Sequence, residues 1–335
     1  MPASSGPALI SVALCTHNGA RFLGEQIRSI CSQTHLPGEI VLSDDASSDD
    51  SVAVAREAVE ACRSSRSGLS LELRVLENRP ALRVTKNFEQ AVLACRGELI
   101  ALSDQDDIWH PGRLQRMAAE FERRPDLTLL HSDARLVDDQ GCEMSQTLFH
   151  ALEVQPFELT NIHQGRAFDM LMRRNLVTGA TTVFRRELLA RAAPFPAEWL
   201  HDEWLGAIAA ATGRIDALEQ CLIDYRQHAS NEVGARRNTF AQNVRKAFEP
   251  RGTKHEERAR KVELLLERLL QLGAPVPSQA LVTVRGKLEH QRFRARLPRS
   301  RAGRALPIAR EALSGRYERF GRGWRAVISD LLESA

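Results

Sequence analysis

Residues 9–102 alternate between short apolar runs and stretches in which apolar residues recur every three or four positions. The runs are rich in β-branched residues and predict buried strands, whereas the 3.6-residue spacing predicts helices. Strands are predicted at 9–15, 39–43, 70–76 and 98–102, and helices at 20–33, 52–62 and 87–95. Strand–helix alternation is typical of a parallel sheet with helices on both faces. We therefore predict an α/β domain.

The pattern becomes less regular beyond residue 107 and changes character after 249–252. Helices are predicted at 111–123 and 197–212, strands at 128–131, 177–184 and 221–226, and a turn at 138–141. Helices alone follow, at 256–272, 279–297 and 316–333. We place one domain at residues 9–235 and a mainly helical, basic C-terminal region at residues 236–335.

Charge separates the same two parts of the chain. Residues 1–235 carry a net charge of −10, and residues 236–335 carry +13. The arginines of the basic region have few aromatic neighbours and form no recognition motif, so we expect no nucleic-acid partner. Contact with anionic lipid headgroups at the inner membrane surface, a solvated helical appendage and an oligomer contact remain as alternatives.

Other features limit the classes of protein that the chain can represent. Its uncharged apolar stretches fall short of the roughly 18–20 residues that cross a bilayer, and the N-terminus has no signal-like apolar segment. The six cysteines are scattered without a C-x-x-C pair, which predicts neither a zinc site nor a disulfide framework. We expect a cytoplasmic protein, with peripheral attachment at the cytoplasmic face of the membrane as the alternative.

An acidic segment directly follows the fourth predicted strand. Ser103-Asp104-Gln105-Asp106-Asp107 places three carboxylates within four positions, and their mutual repulsion costs stability unless a cation or water relieves it. Hard oxygen ligands suit Mg²⁺ or Mn²⁺ rather than zinc. A solvated acidic turn is the alternative. Polar clusters at 16–18 and 44–45 also follow predicted strands, and in a parallel sheet such clusters converge at the carboxyl edge.

Several segments, in this order, resemble motifs of the family-2 glycosyltransferases, which have the GT-A fold. They are ISVALCTHNG at 10–19, SQT at 32–34, IVLSDDAS at 40–47, SDQDDIW at 103–109, HDEWL at 201–205 and YRQHASN at 225–231. The fourth of these is similar to the D-x-D motif of the family. The combination of H-D-x-W with Y-R-Q-H is most like bacterial rhamnosyltransferases of cell-surface polysaccharides. The resemblance covers about residues 9–235.

The resemblance implies a nucleotide site. Thr16 and Asp45 would lie against the base, with Asn18 and Asp44 beside them, and Asp104 would approach the diphosphate. A carboxylate and a hydroxyl suit the N–H and carbonyl groups on the edge of a pyrimidine. Lys86 would neutralise phosphate charge, or would be a solvated lysine. Residues 48–50 could also cap the following helix.

The resemblance also implies a metal site and a catalytic base. Asp104 and Asp106 match the two acids of D-x-D, and His228 would be a third contact of the metal or diphosphate, or a structural histidine. Asp107 would orient the loop or reach the ribose or the sugar. Asp202 would accept the proton of the acceptor hydroxyl. Glu203 points about 100° away from it on a helix.

Four further positions complete the prediction. Gly179 would line the donor or acceptor pocket, and Trp109 and Trp204 would stack on sugar faces, with ordinary core packing as the alternative for at least one of them. His201 stands where the family more often has glutamate, which leaves any orienting role open.

The implied activity is transfer of a sugar, rhamnose being the one the motifs suggest, from a nucleotide-diphosphate donor to a glycan or lipid-linked acceptor, with inversion and with Mg²⁺ or Mn²⁺. A non-catalytic nucleotide-sugar-binding or scaffold protein of the same fold is the alternative.

Overall fold

A computed structural model describes residues 9–66, 70–228 and 252–333. The described chain forms two compact units. The sheet unit contains residues 9–154, 177–209 and 213–228, apart from 67–69, and the helical unit contains 155–176, 210–212 and 252–333. The boundary predicted near residue 235 and the last residues of the YRQHASN motif, 229–231, lie outside the described residues. Residues 155–176 belong to the helical unit rather than to the unit that flanks them in sequence.

The sheet unit is built on nine strands in the order β3-β2-β1-β4-β8-β6-β9-β5, with β7 paired to β6. They are β1 Ile10–Thr16, β2 Glu39–Asp44, β3 Glu72–Glu77, β4 Leu99–Ser103, β5 Ile108–Trp109, β6 Leu127–Val137, β7 Glu143–Thr147, β8 Val183–Arg185 and β9 Arg214–Arg226. The first four strands are mutually parallel. Every residue of β1, β2 and β4 is buried, as expected for strands covered on both faces.

The second half of the sheet is mixed. Strand β8 is antiparallel to both β4 and β6, and β5 is antiparallel to β9, whereas β6 and β9 are parallel. The expectation of a mostly parallel sheet is therefore correct for β1–β4 and for the pair of β6 and β9, whereas the other pairs are antiparallel. A parallel neighbour needs a crossover connection, whereas antiparallel strands can be joined by short turns. The turn predicted at 138–141 makes such a connection between β6 and β7.

Fourteen helices are described. They are α1 Ala20–Cys31, α2 Ser51–Ser65, α3 Arg83–Ala94, α4 Arg113–Arg123, α5 Leu148–Ala151, α6 Pro156–His163, α7 Ala167–Arg173, α8 Leu189–Ala192, α9 His201–Thr212, α10 Lys254–Leu272, α11 Ser278–Ala295, α12 Arg301–Leu313, α13 Arg316–Phe320 and α14 Trp324–Leu332. Two 3₁₀ turns, Gly179–Thr181 and Arg186–Leu188, flank β8. The strand predicted at 177–184 is wrong over its first half, because a 3₁₀ turn occupies it.

Helix α1 shows how the apolar spacing positions the sheet edge. Leu23, Ile27 and Ile30 recur at helical spacing and are fully buried in the core that includes β1 and β4. Burying each such side chain stabilises the fold by roughly 1.5–3 kcal/mol. The first turn of α1 is thereby fixed at the carboxyl end of β1.

The helical unit has its own small core and a buried ionic cluster. Leu297, Ile308 and Tyr317 pack together, and the Arg294 guanidinium donates two hydrogen bonds to the Asp330 carboxylate at 2.7 and 2.6 Å. The single helix predicted at 316–333 is interrupted at 321–323, where Gly323 has φ 57°. Helix α12 was not predicted. None of the described helices is both long and apolar enough to span a membrane.

Candidate functional site

The carboxyl ends of β1, β2 and β4 meet at one edge of the sheet, as predicted. Thr16, the last residue of β1, is in register with Asp44, the last residue of β2. Leu14 of β1 is in register with Ser103, the last residue of β4. The three polar segments that follow these strands are therefore neighbours.

Gln105 ties the β1 end to the acidic loop, residues 104–107. Its Oε1 accepts hydrogen bonds from the Thr16 hydroxyl at 2.7 Å and from the His17 N–H at 2.9 Å. A Cβ at Gly19 would overlap both the Gln105 carboxamide and the Thr16 hydroxyl. Glycine is required here because the loop approaches the backbone closely. The hydroxyl of Thr16 is thus engaged by the loop in this structure.

The two acids after β2 have different surroundings. The Asp45 carboxylate accepts hydrogen bonds from the Leu82 N–H at 2.6 Å and the Arg83 N–H at 2.8 Å, which holds the start of α3. Arg83 has φ 66°, an unfavourable value for a residue with a side chain. Asp44 accepts a bond from the Ser47 N–H with one oxygen, whereas its Oδ1 is buried without a hydrogen-bond partner.

Asn18 and Lys86 are both placed beside other protein groups. Asn18, with φ 49°, accepts the Ser48 N–H at 2.8 Å and donates its own N–H to the Ser47 hydroxyl at 2.9 Å. It therefore shapes the loop that follows β2. The Lys86 ammonium lies 2.6 Å from the Glu89 carboxylate, one turn away on α3. The predicted phosphate contact of Lys86 would have to replace that ion pair.

The acidic loop brings together two predicted metal ligands. The Asp106 Oδ2 lies 2.7 Å from the His228 Nε2, although 122 residues separate them in sequence. Burial raises the pKa of Asp106, and the hydrogen bond and charge of His228 oppose that effect. Phe22 stacks on the His228 ring with 5.0 Å between ring centroids, which fixes the imidazole over the loop.

The Asp107 side chain points into the protein interior rather than towards solvent. Its Oδ1 accepts the Arg226 N–H at 3.0 Å, and its Oδ2 is buried without a hydrogen-bond partner. Burial, followed by the negative charges of Asp106 and Asp104, raises its pKa well above the ordinary value. Of its two predicted roles, the geometry matches orientation of the loop.

The Arg226 guanidinium binds four parts of the site from one buried position. Its Nε donates to the Asp106 carbonyl at 2.8 Å, Nη2 lies 2.7 Å from the Glu25 carboxylate, and Nη1 donates to the Asp139 carbonyl at 3.2 Å. The guanidinium also lies 4.9 Å from the centre of the Phe22 ring. It therefore holds the acidic loop against α1 and the β6–β7 turn.

Trp109 is a core residue and does not present a face to a sugar. Only 2% of its surface is exposed, and the guanidinium of Arg113 covers its ring at 3.8 Å. This finding corrects the predicted stacking role. The three guanidinium nitrogens of Arg113 are buried and have no hydrogen-bond partner. Burial lowers the pKa of Arg113 to about 9, against the opposing charges of Asp107 and Asp104.

The donor atoms at the acidic loop fit a divalent cation. A carboxylate and an imidazole already meet there, and the charges of Asp106 and Asp104, after burial, raise the pKa of Asp107, so a cation would relieve their repulsion. Carboxylate oxygens suit Mg²⁺ or Mn²⁺, and an imidazole nitrogen favours the transition ion of the two. Asp104 is half-buried at the end of β4 and completes the acidic side.

Across the described residues, the one trio of ligand-type side chains with donor atoms all within 4.8 Å is in the helical unit, at His255, Asp330 and Glu333. Cationic side chains already satisfy these carboxylates. Arg294 binds Asp330 through two hydrogen bonds, and the Lys254 ammonium lies 2.9 Å from Glu333. This trio is therefore a buried ion-pair cluster rather than a metal site.

The predicted base lies at the start of α9. The Asp202 Oδ2 accepts the Gly179 N–H at 2.9 Å, and its Oδ1 lies 2.7 Å from the Glu203 N–H. A Cβ at Gly179 would lie 2.7 Å from the His201 Nε2, so the close approach requires glycine. The positive end of the helix dipole stabilises both Asp202 and Glu203 as carboxylates.

His201 and Trp204 pack in the core. The His201 ring stacks on Phe88 with 3.7 Å between centroids, and neither of its nitrogens has a hydrogen-bond partner. Burial lowers the pKa of His201 to about 3, so the imidazole is neutral and cannot orient Asp202 by charge. Trp204 is 1% exposed and donates its indole N–H to the Ala192 carbonyl at 2.7 Å. The sugar-stacking role predicted for Trp204 is therefore also wrong, because its ring is buried in the core.

Tyr225 is a buried residue whose pKa is affected both by the acidic loop and by Asp202. Burial raises the pKa of its phenol, and the charges of Asp104, Asp107, Asp106 and Asp202 raise it further. Charges act more strongly on one another in a buried, low-dielectric environment than in water. The carboxylates of the acidic loop and of Asp202 thus all raise the pKa of Tyr225, a buried residue of β9.

The family model for glycosyl transferase family 2 matches residues 11–191, more than half of the chain. This chain belongs to that family. The matched segment contains β1, the acidic loop and β8. The shared fold gives GT-A architecture, as predicted, with a helical C-terminal region.

Known proteins similar to this family-2 member agree with that assignment. An uncharacterized glycosyltransferase of Nostoc sp. is 26% identical over 238 residues, which are 66% of this chain and 66% of that protein. The O-antigen biosynthesis protein RfbC of Myxococcus xanthus is 30% identical over 170 residues, 50% of this chain and 12% of that protein. The chain thus spans less than two thirds of the length of these relatives.

The fold is also that of a solved structure. Residues 1–349 of S. aureus TarS, crystallised in complex with UDP-GlcNAc, superpose with a TM-score of 0.59 at 16% identity. The match covers 97% of this chain and 89% of that one. At such low identity the likeness establishes the fold alone.

Three residues of this glycosyl transferase family member were given no role by sequence reasoning. Gln105 joins β1 to the acidic loop, Arg226 joins the loop to α1, and Tyr225 lies within the field of four carboxylates. Tyr225 and Arg226 belong to the quoted YRQHASN segment, and Gln105 is the central residue of D-x-D. Their presence in these motifs was the available signal, although a motif does not specify the contacts of its members.

Proposed function

We propose that this chain transfers a sugar from a nucleotide-diphosphate donor to an acceptor hydroxyl by a single displacement that inverts the anomeric centre. One observation carries the proposal. The acidic loop pairs with His228 on one side, and the Asp202 carboxylate is held by the Gly179 N–H, in a turn that the hydrogen bond from the Leu102 N–H to the Thr182 carbonyl joins to the end of β4. A cation-binding acidic loop next to a helix-start carboxylate provides both a site for a diphosphate and a general base.

We propose that Asp104, Asp106 and His228 hold Mn²⁺ or Mg²⁺, with Mn²⁺ preferred because of the imidazole. When bound, the ion offsets the negative charge that grows on the departing diphosphate. Asp107 and Arg226 orient the loop from below through the hydrogen bond between Asp107 Oδ1 and the Arg226 N–H.

In the proposed step, Asp202 accepts the proton of the acceptor hydroxyl. The acceptor oxygen forms its bond to the anomeric carbon while the bond from that carbon to the diphosphate oxygen breaks. The Gly179 N–H holds one carboxylate oxygen of Asp202 and so fixes the direction of the other. Glu203 is placed beside the acceptor pocket in this scheme, and Gly179 lines it.

The nucleotide is proposed to lie over the ends of β1 and β2. Thr16, Asn18, Asp44 and Asp45 surround that position, and the Asp45 carboxylate would reach the base only by giving up a backbone N–H. Lys86 would assist the diphosphate after leaving Glu89. These are the residues whose substitution should alter nucleotide selectivity.

The likeness to TarS in complex with UDP-GlcNAc supports a uridine diphosphate sugar among the first donors to test. The likeness to an O-antigen biosynthesis protein supports a glycan or lipid-linked acceptor of cell-surface polysaccharide. We include activated rhamnose among the donors because of the H-D-x-W and Y-R-Q-H segments.

The donor can be identified by a thermal-shift screen of nucleoside diphosphates and their sugars with and without Mn²⁺. A ligand that binds only the folded state raises the melting temperature. At one hundred times its Kd, it increases the free energy of unfolding by about 2.7 kcal/mol. We expect one nucleotide to stabilise the protein in a Mn²⁺-dependent manner. Equal stabilisation without metal would contradict the metal site.

Substitution of Asp202 tests the chemistry separately from binding. Asp202→Asn keeps an oxygen that can accept the Gly179 N–H but removes the base, so we expect transfer to fall by about 10²–10⁴-fold. Mn²⁺-dependent nucleotide binding should not change. Glu198→Gln is the matched control, because Glu198 is exposed just before α9 and has no role in this scheme, and it should retain the activity. Undiminished turnover by Asp202→Asn would remove Asp202 as the base, and binding without turnover by the native chain would favour a non-catalytic nucleotide-sugar-binding protein.

A further inference from the structure

Large apolar side chains are exposed on two helices of the helical unit. On α12, Leu306 is 59% exposed and Leu313 is 89% exposed, and on α14, Trp324 is 65% exposed and Ile328 is 42% exposed. Single exposed apolar residues are normal on a soluble surface, but repeated ones on adjoining helices indicate an interaction site.

The exposed residues of α12 form one stripe. Ala302, Leu306, Ala309 and Leu313 follow the spacing i, i+4, i+7 and i+11, and all four are exposed. Ile308, on the opposite side of the helix, is buried in the small core. Helix α12 therefore has two apolar sides, of which only one is covered within the described part of the chain.

The end of helix α14 contacts the start of α12, and residues 314–323 connect the other two ends of these helices. The Arg301 guanidinium donates to the Leu332 carbonyl at 2.8 Å, and Arg304 donates to the Glu333 carbonyl at 2.8 Å. The start of α12 thus lies at the end of α14. With a rise of about 1.5 Å per residue, Leu313 lies about 14–18 Å and Trp324 about 12–14 Å from this contact along their helices. They are therefore at the same end of the pair.

Arginines surround the exposed apolar residues. Arg310 lies within the α12 stripe, and Arg322 and Arg325 flank Trp324, all of them exposed. The Arg325 guanidinium is 5.8 Å from the centre of the Trp324 ring. The acidic residues of α12 and α13 also have partners within the helical unit: Glu311 binds His290 at 2.8 Å, and Glu318 lies 3.4 Å from Arg173.

We propose that this face of α12 and α14 docks on the surface of an anionic lipid bilayer. Tryptophan and leucine side chains favour the boundary between headgroups and acyl chains, and arginines attract anionic headgroups. A solvated appendage would not require the exposed Leu313 and Trp324. Each arginine near an anionic surface strengthens binding about fivefold, so three of them make the binding sensitive to salt.

The native tryptophans provide a direct measurement. The chain has four tryptophans, of which Trp109, Trp199 and Trp204 are buried and Trp324 is exposed. Transfer of Trp324 from water to a bilayer should shift its fluorescence to shorter wavelength. We expect this shift when the full-length protein is mixed with vesicles of phosphatidylglycerol and phosphatidylcholine, and its loss in 0.5 M salt or with phosphatidylcholine alone. Trp324→Phe should abolish the shift.

Co-sedimentation with the same vesicles tests the two components of the surface. Leu306→Ser with Leu313→Ser, and separately Arg310→Glu with Arg325→Glu, should each weaken binding at least tenfold. Leu93→Ser is the matched control, because Leu93 is 54% exposed on α3 of the sheet unit. All these side chains are exposed, so melting temperatures should remain unchanged.

Two results would overturn the proposal. One is equal binding to neutral and anionic vesicles, or no binding to either. The other is self-association by analytical ultracentrifugation that the Leu306→Ser, Leu313→Ser variant abolishes, because the face would then join two copies of the chain. Neither measurement needs sugar transfer, so the result is independent of the proposed catalytic function.

Discussion

Replacement of Arg226 by lysine tests whether this residue positions the acidic loop. The arginine side chain is 3% exposed and donates from three nitrogens to the Asp106 carbonyl, the Asp139 carbonyl and the Glu25 carboxylate. Lysine keeps the positive charge but has one nitrogen, so it cannot reach all three acceptors. The carbonyl of Asp106 is the acceptor that belongs to the proposed metal site.

The contacts set the size of the effect. Loss of the hydrogen bonds to two carbonyls costs about 1–1.5 kcal/mol each, and loss of the cation–π contact with Phe22 costs about 0.5–1 kcal/mol. The Glu25 carboxylate is 48% exposed, so its ion pair contributes less than about 1 kcal/mol. We expect Arg226→Lys to lower the free energy of unfolding by about 2.5–4 kcal/mol and the melting temperature by about 5–15 °C.

A positioning role predicts an effect beyond stability. With the Asp106 carbonyl released, the Asp106–His228 pair loses its fixed geometry, and we expect Mn²⁺ affinity, read from the paramagnetic resonance signal of the free ion, to fall at least tenfold. Arg74→Lys is the matched control, because Arg74 binds the Glu39 carboxylate at 3.2 Å and the Ala94 carbonyl at 2.6 Å, away from the loop. The control should lose stability but retain Mn²⁺ affinity.

The positioning role of Arg226 is refuted if Arg226→Lys binds Mn²⁺ as tightly as the native chain at a temperature where both are folded. It is also refuted if Arg74→Lys and Arg226→Lys change Mn²⁺ affinity equally, because the effect would then follow from general destabilisation. In that case, stacking on Phe22 would be sufficient to position His228.

Two further predictions concern the neighbouring residues. Asp45→Asn replaces one acceptor of the Leu82 and Arg83 N–H groups by a donor, so we expect a loss of about 1–3 kcal/mol in urea unfolding, and an unchanged midpoint would contradict the observed contacts. His201 has a pKa of about 3 in the folded chain and of 6.5 in the unfolded chain. Between these pH values the unfolded state binds more protons than the folded state. The free energy of unfolding therefore decreases as pH falls from about 6.5 to 3, by up to about 5 kcal/mol. His201→Gln should reduce this loss in melting curves at pH 7 and pH 4, and identical curves for the two proteins would show that His201 is already protonated or accessible.

Much of the first half of the fold could be predicted from sequence because its apolar runs and helical spacings match the burial of these segments in the folded chain. The strands β1, β2 and β4 are buried on both faces, and their apolar runs have no competing interpretation. The second half could not be predicted as well. Strand β6 extends from Leu127 to Val137 and includes His131, Asp133 and Arg135, whose polar side chains hide the apolar period. Helix α12 contains Gly303 and Pro307 and follows Pro298 and Ser300, residue types that interrupt a helical pattern, so no helix was predicted there.

The same limit applies to the site. Sequence order and the parallel connection were sufficient to bring Thr16, Asp44 and the acidic loop to one edge. They were not sufficient to show that Trp109 and Trp204 are buried, because a tryptophan near a helix start has the same sequence pattern in the core as at a sugar site. Burial of Trp109 depends on Arg113 covering its ring, a contact that only the folded chain specifies.

The three acids of the acidic loop show how adjacent, chemically identical residues acquire different tasks. Asp106 turns towards His228, whereas Asp107 turns inward to the Arg226 N–H. Burial of Asp107 beside Asp106 would be costly without nearby positive charge, and the unbonded guanidinium of Arg113 supplies it through its electrostatic effect on Asp107 and Asp104. An internal cation thus balances the acid that faces inward, which leaves the negative charge of Asp104 and Asp106 for a ligand that enters from solvent. The division explains why a segment that reads as one acidic cluster can fix a loop and bind a cation at once.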